Sequence, residues 1–93
     1  MSMKSVALPD FATFKTRDVI RQIIEAVPPQ SGGIGLADMR HRLKLLDKLD
    51  AADETLWLED AEHEALVRLL HGFPFGVVHP ELARIADAIE NAS

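Results

Sequence analysis

The sequence predicts a mostly α, compact four-helix domain, with room for a minimal two-stranded β pair near Ile34 and Trp57. Three observations carry that reading. Apolar residues recur at helical spacing in four separate stretches. Each stretch is bounded by proline, glycine or acidic residues, which start and stop helices for known steric and electrostatic reasons. A chain of 93 residues, 47% hydrophobic and 27% charged, has the size and composition of one globular domain.

Residues 1–12 read as an N-terminal tail, punctuated by Pro9 and Asp10, and 13–93 as a single helical domain. Phe11 and Phe14 are apolar enough to pin the tail to a core or to a neighbouring chain. A first helix is expected over 14–27, where Val19, Ile20, Ile23, Ile24 and Val27 form one stripe and Thr13 or Thr16 offers an N-cap. Pro28 and Pro29 stop it, because the residue before a proline is pushed out of the α region. The loop Pro28–Gly35 holds three glycines suited to positive φ.

A second helix is expected over 36–49, with Leu36, Met39, Leu43 and Leu46 as its core stripe and Leu45 and Leu49 widening it. Thr55–Glu59 alternates, which suits a short strand with Leu56 and Leu58 on one face and Trp57 on the other. Its nearest candidate partner in sequence is the segment at Ile34, and continued helix is the alternative. A third helix is expected over 60–71, with Asp60 as N-cap, Leu66, Leu69 and Leu70 inward, and Gly72 as terminator. The apolar connection 72–79 leads to a fourth helix over 80–91, started by His79 and Pro80 and packed through Leu82, Ile85 and Ile89.

Chemistry is sparse. The absence of cysteine removes disulfides, thiol catalysis and cysteine-based zinc sites. His63-Glu64 begins like a zinc-protease helix motif, but Val67 stands where the second histidine belongs. Gly32-Gly33-Ile34-Gly35 lacks the Lys-Ser/Thr of a phosphate-binding loop. The histidines are scattered and read as structural. No catalytic, cofactor-binding or metal-ligating residue is assigned, and the chain is read as a non-enzyme without cofactor.

Charge is uneven. The net charge is −5, yet residues 36–48 sum to +2 and residues 53–64 to −6. Arg40, Arg42, Lys44 and Lys48 form a candidate face for an anionic partner, and this is the basis of an alternative reading as a nucleic-acid-associated regulator. Overall acidity, the long loop before the second helix and the scarcity of aromatic platforms weigh against nucleic acid. The simpler reading is that the basic and acidic segments lie side by side. No run of residues is long and apolar enough for a membrane span, and no signal-peptide pattern appears.

The apolar residues are more suggestive. Trp57, Phe73, Phe75, Val77 and Val78, added to four apolar stripes, strain what a core of this size can hide, and they are the candidate protein interface; the alternative is that Phe73 and Val77 cap the bottom of the four-helix core. The runs Gly35-Leu36-Ala37-Asp38-Met39-Arg40-His41-Arg42-Leu43, Leu46-Asp47-Lys48-Leu49 and Leu56-Trp57-Leu58-Glu59-Asp60-Ala61-Glu62-His63 resemble small accessory proteins that tailed phages and prophages encode near their morphogenesis genes. The resemblance carries no catalytic motif. It implies an accessory or assembly protein acting by contact, in the cytoplasm (the host's, if phage-encoded). The expected function is a protein–protein interaction module whose partner is a second copy, another protein, or both.

Overall fold

A computed structural model describes residues 3–27 and 32–93. Its elements run β1 (Met3–Ala7), α1 (Thr16–Glu25), α2 (Leu36–Ala51), β2 (Thr55–Glu59), α3 (Asp60–His71) and α4 (Pro80–Glu90). The expected class stands: four helices and a two-stranded sheet among the described residues. Two details differ. The strand opposite Thr55–Glu59 is Met3–Ala7, antiparallel, in the register Met3↔Glu59 to Ala7↔Thr55, and not the segment at Ile34. Residues 3–7 are therefore a strand, not part of a tail.

The reason lies in alternation too short to announce itself. Val6 is the one residue of β1 that is fully buried, and it pairs with Leu56 on the inner face. On the outer face Met3, Ser5 and Ala7 stand opposite Glu59, Trp57 and Thr55. Two strands this short are held by packing on helices. Here Val6, Leu56 and Leu58 enter the single core formed by Ile20, Ile23 and Ile24 of α1, Leu45 and Leu49 of α2, Leu66 and Leu70 of α3, and Leu82, Ile85 and Ile89 of α4.

The helix ends follow local chemistry. α1 starts at Thr16, which is buried; its hydroxyl donates to the carbonyl of Pro9 at 2.8 Å instead of capping. Lys15 occupies the N-cap position, so neither Thr13 nor Thr16 does. α3 is capped by Glu59 in place of the expected Asp60, in a reciprocal capping box with Glu62. α4 has Pro80 in its first turn and His79 at its cap, where Nδ1 accepts from the amide of Glu81 at 3.1 Å. In the loop before α2, Gly32 and Gly33 have φ of +71° and +119°, which side-chain-bearing residues rarely adopt. Pro28 to Ser31 of that loop lie outside the described residues.

α2 departs most from expectation. Leu36, Met39 and Leu43 are exposed, at 62%, 45% and 52%, while Leu45 and Leu49 are buried and Leu46 is half-buried. The helix carries leucines on two faces. Leu45 and Leu49 of its second half pack in the core with Ile20, Ile23 and Ile24 of α1, and that contact turns the narrower Leu45/Leu49 face inward. Leu69, also expected in the core, is half-buried against it.

Two arginines tie the helices together through carbonyls at and just beyond helix ends. Arg17 of α1 donates to the carbonyls of Leu49, Ala52 and Asp53 where α2 ends. Arg42 of α2 donates to the carbonyls of Ile24 and Ala26 where α1 ends, and its Nε lies 3.3 Å from Asp38.

Candidate functional site

The connection between α3 and α4 begins where Gly72 ends α3, its amide donating to the carbonyl of Arg68. Phe73 then folds back, half-buried, against the core. Its ring meets that of Phe75 edge-on, with centroids 4.9 Å apart, the arrangement ring quadrupoles favour. Phe75 is already at the surface, Val77 is 57% exposed and Val78 fully so. The return into α4 is firmly built: His79 packs edge-on against Phe14 at 5.1 Å, and the Glu81 carboxylate accepts from the amides of Phe14 and Thr13 at 2.8 and 3.0 Å. An ordered frame thus presents Phe75, Val77 and Val78 to solvent.

Trp57 is not part of this patch. It stands on the outer face of the sheet, opposite Ser5 and near exposed Met3. β2 leads straight into α3, and the connection 72–79 follows that helix. The two regions therefore sit at opposite ends of a 12-residue helix, about 18 Å long at 1.5 Å per residue. The five candidate interface residues fall into two places, with Phe73 serving as the inner support of one. A third apolar surface, the Leu36, Met39 and Leu43 stripe on the first half of α2, has the spacing of a core face yet is exposed. Only the tertiary arrangement reveals it.

The basic face divides as well. Arg42 is committed to the end of α1, and Lys48 pairs with Glu62 of α3. Arg40 and Lys44 are exposed. Lys44 and Glu62 face each other across a cleft of about 580 Å³ between α2 and α3, which His41 and Arg68 also line. The basic and acidic segments are thus neighbours, as the simpler reading of the charge pattern expects. Two further histidines bond within the chain: His63 donates to the carbonyl of Ile89 at 2.7 Å, and His71 lies 3.0 Å from Glu90. Among the described residues, no group of three or more histidine, aspartate or glutamate side chains is placed to hold a metal ion.

Two carboxyls titrate below the ordinary glutamate value of 4.5. At Glu62 burial pushes the pKa up, and the bonds from Lys48 and the Glu59 amide outweigh it. At Glu81 loss of solvent likewise pushes up, and the amides of Phe14 and Thr13 win. A carboxyl whose pKa is lowered by folding stabilises the fold above its unfolded value, and this contribution fades as pH falls through the lowered native value. Urea midpoints are expected to drop as the buffer is taken from neutral to below pH 4.5. Glu81→Gln is expected to flatten that drop. An acid limb of unchanged steepness in the variant would mean that Glu81 does not carry it.

No helix among the described residues is long and apolar enough to cross a membrane. No known family, curated protein or solved structure matches the chain.

Proposed function

We propose that this protein is a non-enzymatic interaction module that self-associates, serving as an accessory or assembly protein in the cytoplasm, of the kind phages and prophages encode. The observation that carries the reading is the α3–α4 connection, which holds Phe75, Val77 and Val78 outward on a frame fixed by Phe73, His79 and Glu81. Apolar side chains gathered on a small protein's surface mark a contact site, and a few anchors in a dry centre supply most of the binding energy. A second copy offers the same side chains across a two-fold axis, and such self-complementary contacts are the commonest route to a homo-oligomer.

The alternative, nucleic-acid binding through α2, draws on four cations. Two of them, Arg42 and Lys48, already bond within the chain, and the net charge of −5 opposes a polyanion.

The test is the mass in solution of the wild-type chain beside the Val77→Asp/Val78→Asp variant. Both positions are exposed, so the variant is expected to keep its circular dichroism and melting temperature. Wild type is expected at a multiple of 10.3 kDa and the variant at 10.3 kDa. A folded variant that assembles like wild type would overturn this choice of surface.

A further inference from the structure

The sheet has one closed edge and one open edge. The amide of Leu8 donates to the carbonyl of Glu54 at 2.9 Å, continuing the ladder, so the even-numbered residues of both strands carry its hydrogen bonds. The odd-numbered residues turn their amides and carbonyls outward, as antiparallel pairing requires. On the β1 side the chain's own Ser93 fills the gap: its carbonyl accepts from Ser5 N at 3.2 Å and Ser5 Oγ at 3.1 Å. On the β2 side the Glu59 amide is taken by Glu62 at 2.8 Å. The outward amides and carbonyls of Thr55 and Trp57 have no hydrogen-bond partner among the described residues. Beside them lies an open depression of about 670 Å³, lined by Ala51 to Thr55 and Trp57.

We propose that β2 takes up, as a third strand, an extended basic segment of another protein. This rests on the reading of the chain as an interaction module and adds a second surface to it. An open strand edge supplies main-chain hydrogen bonds to any extended chain, and side chains then choose which. Charge makes the choice here. Asp53 and Glu54 stand exposed at the start of β2, and Glu59 stands exposed at its end. A second copy of β2 laid on this edge would set the same carboxylates against one another. A segment carrying lysine or arginine meets opposite charge at both ends. Its alternate residues lie beside Trp57 on the outer face, where the indole ring attracts a cation or covers an apolar side chain.

The experiment titrates the isotope-labelled full chain with a blocked heptapeptide of alternating lysine and valine. Hydrogen exchange at the Thr55 and Trp57 amides is expected to slow at least tenfold at saturation. Binding is expected to weaken tenfold or more between about 0.05 and about 0.5 M salt, since such contacts are screened. The Asp53→Lys/Glu54→Lys variant should lose a comparable factor. A peptide N-methylated on the amides that face β2 should not bind, and it decides the matter even should the variant fail to fold. Unchanged exchange at Thr55 and Trp57 in about 1 mM peptide would overturn the proposal. Equal binding of an alternating glutamate–valine peptide would do the same. Failure here in a chain that still assembles leaves self-association standing, whereas a monomer that binds the peptide reverses that outcome.

Discussion

Val6→Asp is expected to unfold the protein. The Val6 side chain is 1% exposed, facing the core beside Leu56. A carboxylate placed there finds no cation in the apolar cluster that surrounds it, and an unpaired buried charge costs several kcal/mol. A domain of 93 residues has about 5–14 kcal/mol in all, at 0.05–0.15 per residue. Val6→Ala is a graded companion: deleting two buried methyl groups should cost about 1.5–3 kcal/mol. Urea unfolding followed by circular dichroism reads both. If residues 3–7 were a tail, both variants would unfold at the wild-type midpoint.

Arg42→Ala should cost about 2–3 kcal/mol, the range for losing hydrogen bonds from a charged donor to partly buried acceptors. Its side chain is 11% exposed, and removing it strands the carbonyls of Ile24 and Ala26 at the end of α1. Arg40→Ala, two residues away and exposed, should stay within about 0.5 kcal/mol. Equal urea midpoints for the two variants would contradict the structural role given to Arg42. The contrast separates arginines that look alike in a charge pattern.

That pair also shows what the sequence could and could not disclose. α3 and α4 were legible almost to the residue, because Gly72, His79 and Pro80 act on the backbone locally. β2 was legible from the alternation of Leu56, Trp57 and Leu58. Its partner was not, because β1 offers a single buried residue, Val6, and lies far away in the chain. The rotation of α2 was hidden for a different reason. Leu36, Met39 and Leu43 match helical spacing as well as Leu45 and Leu49 do, and only the position of α1 decides between them. The exposed apolar connection was readable from composition. Its separation from Trp57 was implicit in the length of α3, itself legible, since β2 and the connection lie at opposite ends of that helix. The charge pattern correctly brought α2 and α3 together, yet it gave no sign that Arg42 reaches backward to α1.

The central claim is that this protein works by contact through apolar surface it shows to solvent. Its most direct test is the mass of the unmodified chain by light scattering behind size exclusion, over a concentration series at low and high salt. The account predicts a stable multiple of 10.3 kDa that salt does not reduce, because apolar burial is not screened. A mass of 10.3 kDa at every concentration and both salt levels would contradict it.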